Sequence, residues 1–347
     1  MIKVDGSQGE GGGQILRTGL FFAFVLDEEV RVDNIRANRE NPGLRPQHLA
    51  VLKAFSEVAG GELENAKVGA EWIRYRPSLD IKNQIRIDVG TAGSITLILQ
   101  ALLPALSVRG VTCRISVRGG TDTRWSPTYD YFVRVYEPAM RLMGVSFSTE
   151  LVRRGYYPVG GGLVDAITGP AKISKEVEFL SLVSDAKAKI VSTCSGLAIS
   201  VAERQANASA MMLEREGVKV EDRKVNHEEA DSPGTAILVH SGSTSGRYVG
   251  GDAIGERGVR AEEVGRRAAS SYISCIKSGA SVDCHMADML VPIAALGERT
   301  TFITERLTEH LKTNLLVARA FTGCEWTVKE RDGSSLVEIK GGDFVGP

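Results

Sequence analysis

What constrains this chain most is a recurring punctuation of glycine, proline and apolar helix. Gly11-Gly12-Gly13 leads into an apolar helical run over residues 14–24, a strand follows over 30–35, and a polar turn over 36–42 comes next. After Pro46 a second helix over residues 48–59 is stopped by Gly60-Gly61. Glycine stops helices because it takes up positive φ without a Cβ clash. Two further stretches, 72–76 and 84–89, read as strands that close the unit.

The same order recurs about 80 residues on. Gly90-Thr91-Ala92-Gly93-Ser94 opens a helix over 95–108, a strand covers 112–117, and a turn over 118–123 reaches Pro127. A helix over 129–143 then stops at Gly144. A third copy runs from Met286 through Leu296, a strand over 301–304 and a helix containing 310–321, stopped by Gly323. Between the second and third copies the spacing is about 100 residues too long, an excess that falls over 177–276. The chain therefore reads as α/β (α+β), with three βα repeat units forming a large domain over 1–176 and 277–347. A small α/β domain over 177–276 is inserted between the second and third repeats. Within it, strands are expected over 188–192, near Val218 and over 235–240, with helices over 200–216 and 261–276.

Composition narrows the function classes. The 347 residues carry 42 Lys+Arg against 43 Asp+Glu, a net charge of −1, which excludes a strongly basic coat for long nucleic acids. It leaves room for an enzyme that grips one phosphate locally. The longest apolar run, 20–26, is too short to span a membrane, and no signal-peptide core is visible. Five scattered cysteines without CxxC spacing argue against a disulfide framework and for a reducing, cytoplasmic setting. The 38 glycines are clustered rather than spread as a linker, which points to tight turns or close backbone approach.

Five constellations could carry chemistry. The run 5–17, Asp-Gly-Ser-Gln-Gly-Glu-Gly-Gly-Gly-Gln-Ile-Leu-Arg, places backbone N–H groups at a helix start, where an anion docks. It is neither a P-loop nor a dinucleotide fingerprint. Glu10 would repel an anion but welcome a phosphate-bound metal; the bland alternative is a tight turn with Glu10 and Arg17 solvated. The turn holding Arg36, Arg39 and Arg45 offers planar guanidinium forks for phosphate oxygens, with Gln47 and His48 opening the next helix. Exposed turns are also often basic without a ligand. Gln100 is the long polar side chain in an apolar helix, able to read a ligand's edge or to be satisfied in the core. His285 and Asp288, three apart, share a helix face. His310 sits where Gln47-His48 sits in the first unit. If the units pack about a common centre, it faces the arginine turn and the glycine-rich loop.

Together these residues resemble the RNA 3′-terminal phosphate cyclase family. The matching pieces are the run 5–17, Arg-Ala-Asn-Arg-Glu-Asn-Pro-Gly-Leu-Arg-Pro-Gln-His at 36–48 and Gly-Thr-Ala-Gly-Ser-Ile-Thr-Leu-Ile-Leu-Gln at 90–100. Arg-Gly-Tyr-Tyr-Pro-Val-Gly-Gly-Gly at 154–162 and His-Leu-Lys-Thr-Asn at 310–314 complete them, over nearly the whole chain. The resemblance implies three βαβαββ repeats with a small domain inserted before the third. It also implies ATP-dependent cyclisation of an RNA 3′-phosphate through an enzyme–histidine–AMP intermediate. Carried over by position, His310 is the nucleophile, Gln100 and His285, Met286, Ala287, Asp288 and Met289 line the ATP site, and Glu10 is a ligand for a divalent metal, Mg or Mn. Arg17, Arg36, Arg39, Gln47 and His48 contact phosphate and the RNA end. The family often has Gln where this chain has Met289. The expected partner is RNA with a 3′-terminal phosphate, with no membrane and no stable protein partner. Two alternatives are a non-catalytic ribosome-biogenesis relative, which lacks the histidine, and an enolpyruvyl transferase, which shares the repeat architecture by analogy only.

Overall fold

The computed structural model describes residues 1–9, 11–78, 80–90, 92–180, 187–241 and 247–342. The chain opens with β1 (Ile2–Asp5), α1 (Gly13–Leu26), β2 (Val30–Asp33), α2 (Pro46–Ala59), β3 (Glu62–Glu64) and β4 (Ile73–Arg76), and their sheet has the order β1-β2-β4-β3. β1 and β2 are parallel, as a βαβ crossover requires, and the β3–β4 hairpin closes antiparallel. Next come β5 (Gln84–Asp88), α3 (Ile95–Val108), β6 (Arg114–Gly119), α4 (Tyr129–Tyr131), a π-helical turn (Phe132–Tyr136), α5 (Glu137–Leu142), β7 (Ser146–Arg153) and β8 (Gly162–Gly169). This second sheet has the order β5-β6-β8-β7. The stretch over 84–89 was expected to close the first unit; instead β5 pairs in parallel with β6 and opens the second sheet.

After β9 (Glu176–Phe179) the chain builds a separate sheet from β10 (Lys187–Ser195), β11 (Lys219–His227), β12 (Gly234–His240) and β13 (Gly250–Ile254), ordered β11-β10-β12-β13. Helices α6 (Ser200–Arg215) and α7 (Ala261–Lys277) pack against it around a core of their own. The chain then returns through α8 (Cys284–Ala294), β14 (Arg299–Thr304), α9 (Glu309–Thr322), β15 (Glu325–Arg331) and β16 (Ser334–Lys340). β9 pairs in parallel with β14, giving the order β15-β16-β14-β9.

The helices α1, α2, α3, α8 and α9 supply about half of one large apolar core, with the sheets packed around it. α1 buries ten of its fourteen residues, including Phe21, Phe22 and Phe24, so it runs through the centre rather than along a surface. At its heart is a polar thread: Thr18 donates to Asn314 Oδ1 at 2.8 Å, and Asn314 Nδ2 donates to the Asp288 carbonyl at 2.9 Å. Asn314 is fully buried, so leaving either bond unmade would cost about 1–3 kcal/mol.

Buried charge joins the sheet of β10–β13, the fourth sheet, whose strand order the other three do not share, to the rest. Arg154 pairs with Asp122 at 3.0 Å, with Asp130, and with Glu228 on the loop after β11 at 2.8 Å. The Asp283 carboxylate accepts from Tyr131 Oη and from Gly250 N, both at 2.9 Å. Removing one partner of a buried pair strands the others without compensation. Arg154→Leu is expected to cost about 3–5 kcal/mol, read as a lower urea midpoint, with Arg154→Leu/Asp122→Asn recovering part of it. A loss below about 1 kcal/mol would show that the cluster does not hold the two parts together.

Candidate active site

The site forms where α1, α2, α8 and α9 begin. α2 starts at Pro46, whose fixed φ and missing N–H suit a first helical position. The Arg45 backbone N–H donates to His48 Nδ1 at 3.1 Å, so the imidazole caps its own helix and turns Nε2 inward. Gly13 lies directly beneath it, and a Cβ there would collide with Nε2 and Cδ2 of His48 and crowd Arg17. Gly9, at φ +57°, is bounded likewise by Thr313 of α9. The glycine-rich turn thus lets α2 and α9 close onto the start of α1, as the clustering suggested.

Positive charge is concentrated beside it. Arg17 Nη2 donates to Gln14, but Arg17 Nε is buried with no hydrogen-bond partner among the described residues, and so is Nη1 of Arg36. Burial lowers the Arg17 pKa to about 10. Arg36, held at φ +58°, is lowered by burial and by Arg45 and Arg39. Burial first, then the charges of Arg17, Arg36 and Arg45, push His48 down to about 3. These cations repel one another, and an anion among them would relieve both the repulsion and the unpartnered N–H groups.

His310 stands in the first turn of α9. Thr308 caps that helix, accepting from Leu311 N at 3.0 Å, and donates to Asp288 Oδ1 at 2.9 Å. A Cβ built on Gly12 would lie 3.7 Å from both His310 Cε1 and Arg39 Nη2, so the expected convergence on the glycine turn and the arginine turn is present in the geometry. His310, Arg17, Gln100, His285, Asp288 and Met289 line one open cavity of about 580 Å³. Met286 and Ala287 lie in the same turn of α8 but are fully buried in the main core and do not line it. Gln47 is half-buried beside His48. Glu10 lies outside the described residues. Among the described residues no three His, Cys, Asp or Glu side chains gather as a metal cage, and no helix is long and apolar enough to cross a membrane.

The opposite wall was not anticipated. It comes from residues 123–128, from Tyr131, and from Asp252, Ala253, Ile254 and Glu256 at and beyond β13. The turn over 118–123 that reaches Pro127 occupies in the second unit the place that the arginine turn occupies in the first, and the same convergence applied to it leads to this wall. Half-buried Asp252 on this wall and the buried Asp283 behind Tyr131 have carboxyl pKa values raised by desolvation.

A family model for RNA 3′-terminal phosphate cyclase matches residues 8–328. The chain belongs to the RNA 3′-terminal phosphate cyclase family. It is 42% identical over 330 residues to the RNA 3′-terminal phosphate cyclase of Pyrococcus furiosus, covering 95% of each chain. Its identity to the protein of that name from Pyrobaculum aerophilum is 39% over 341 residues, covering 98% of each. For the one from Archaeoglobus fulgidus it is 41% over 324 residues, covering 93% of this chain and 96% of the other. The family match spans the glycine turn, both cavity walls and α9, so all the side chains gathered here lie within it.

The depressed His48 pKa has a thermodynamic signature. Between about 3 and the ordinary 6.5 the unfolded chain binds a proton that the folded imidazole refuses, so stability rises with pH across that window. The protein is expected to lose stability as pH falls below about 6.5, and His48→Gln to lose less. Thermal midpoints from pH 4 to 7.5 measure this, and parallel profiles for the two proteins would refute a neutral, buried His48.

Proposed function

We propose that this chain is an ATP-dependent RNA 3′-terminal phosphate cyclase acting through a histidine adenylate. The observation that carries the reading is that His310 meets Gly12 and Arg39 and lines one cavity with Arg17. A neutral imidazole is nucleophilic near pH 7, and its phosphoramidate is a good donor. His310 attacks the α-phosphorus of ATP; the new N–P bond forms as the bond to pyrophosphate breaks. The RNA 3′-phosphate then takes AMP from His310, giving an RNA-3′-pp-5′-A end and restoring the histidine. Finally the vicinal 2′-OH attacks the terminal phosphorus, closing a 2′,3′-cyclic phosphodiester and releasing AMP.

Phosphoryl transfer needs charge neutralisation and alignment more than covalent help. Arg17 and Arg36, with unpartnered N–H groups, fit the triphosphate and the incoming RNA phosphate, with Arg39, Gln47 and His48 beside them. His48, neutral by virtue of its low pKa, offers Nε2–H as a donor without adding charge. Gln100, His285, Asp288 and Met289 line the part of the cavity that would take the nucleoside, while Met286 and Ala287 support it from the core. Asp288 also orients His310 through Thr308. A divalent ion, Mg or Mn, would be held chiefly by phosphate oxygens, with Glu10 as its carboxylate, and would supply charge neutralisation.

On the same reading the three sheets of common strand order are copies of one βαβαββ unit. The fourth sheet with α6 and α7 is an inserted domain that starts after β9. The five cysteines, all free, suit a reducing cytoplasm.

With ATP labelled at the α-phosphate and a divalent metal, the protein is expected to become labelled through an acid-labile bond. His310→Ala should abolish the label, and Arg17→Ala should slow labelling by about 10²-fold or more. RNA ending in a 3′-phosphate should be converted to the cyclic end. Absence of any adduct under all metal conditions sinks the nucleophile, and normal adenylation with uncyclised RNA sinks the substrate.

A further inference from the structure

Trp125 is the most exposed large apolar side chain among the described residues, 92% accessible, at the rim of the cavity. Its φ is +61°, a conformation that bulky L-residues avoid. The turn that holds it is tied on both sides. Ser126 Oγ donates to the Thr123 carbonyl at 2.9 Å, and Arg124 pairs with Glu256. Thr96 donates to the Pro127 carbonyl and Thr128 N to Asp252, each at 2.8 Å. Strain held by so many ties, at a cavity mouth and with nothing covering the ring, marks a side chain presented to a ligand.

We propose that Trp125 is a stacking platform for an RNA base next to the 3′ end. An exposed indole on a tied turn suits any nucleobase, because every base has a π-face and stacking tolerates sequence. The adenine of ATP is the poorer occupant: Leu97 and Met289, which line the same cavity, are buried side chains able to surround a mononucleotide, whereas Trp125 is 92% exposed and suits a base of a polymer that reaches the cavity from solvent. A second exposed aromatic, Tyr157 at 80%, lies on the neighbouring loop, whose Gly155 carbonyl accepts from Thr121 N at 2.9 Å.

The inference rests on the RNA substrate proposed above, so its test separates the two. Trp72 and Trp326 already lie against Arg31 and Arg319, which leaves Trp125 as the solvent-facing fluorophore. Without ATP, an oligoribonucleotide ending in a 3′-phosphate should quench tryptophan emission, and Trp125→Phe should remove that quench. This reading needs no turnover, so quenching in a protein that fails to adenylate would support the platform while overturning the cyclase. In steady state, Trp125→Ala should raise the KM for RNA about ten-fold with less than two-fold change in the KM for ATP, and Trp125→Phe should restore most of it. Abasic sites near the 3′ end should weaken binding to the natural protein but not to Trp125→Ala. Trp125→Gly, free of the strain, should melt no lower than the natural protein and show the same RNA defect, which separates stacking from folding. Absent quenching, an unchanged RNA KM, or a rise confined to ATP would each overturn the proposal.

Discussion

One buried amide sets the geometry of everything above it. Asn314 accepts from Thr18 of α1 and donates to the Asp288 carbonyl of α8, while lying on α9 itself. Three helices from distant parts of the chain are thereby locked in register at a fully buried point. Non-directional apolar packing alone would let them slide by part of a turn. The Asp288 carboxylate extends the thread by accepting from Thr308, the cap of α9. His310 is two residues past that cap, so its place relative to the glycine turn descends directly from the amide. Asn314→Leu would keep much of the volume but would lose the register.

Around this frame the protein accumulates unfavourable electrostatics and keeps them. Two guanidinium N–H groups buried without partners each cost about 1–3 kcal/mol, and neighbouring arginines repel. Such groups are almost always satisfied in folded proteins, so two of them on neighbouring arginines beside the glycine turn suit an anionic ligand. The net charge of −1 conceals this, because charge averaged over the chain says nothing about charge focused in a cleft.

Much of the architecture was legible because it is written in residues with narrow conformational meaning. Pro46 and Gly60 bound α2 and Gly323 ends α9, and the helices fall within two residues of where this punctuation puts them. β3 was invisible because Glu62-Leu63-Glu64 has too little apolar alternation to register; its strand character comes from pairing with β4. β5 was assigned to the wrong sheet for a related reason: local pattern identifies a strand but not its partner. The site was legible where one helix or turn carried the signal, as for His310 and the arginines. The second wall was not, since it depends on Trp125 adopting a backbone conformation that no propensity anticipates. Its β13 contribution comes from a strand the pattern did not show.

That second wall changes what the fourth sheet is for. It has its own apolar core, and on packing grounds alone it would be a tolerated appendage. Yet Asp252 fixes the start of α4 through Thr128 N, Glu256 holds Arg124, and Ala253 and Ile254 face the cavity. The polar contacts that orient it are ionic at Arg154 and hydrogen bonds at Asp283, and such directional contacts specify angle where apolar ones supply only adhesion. A cleft between two parts with separate apolar cores keeps its width only if their relative orientation is fixed. The buried arginine and the carboxylate beside Tyr131 are therefore as much a condition of the cavity as the residues that line it.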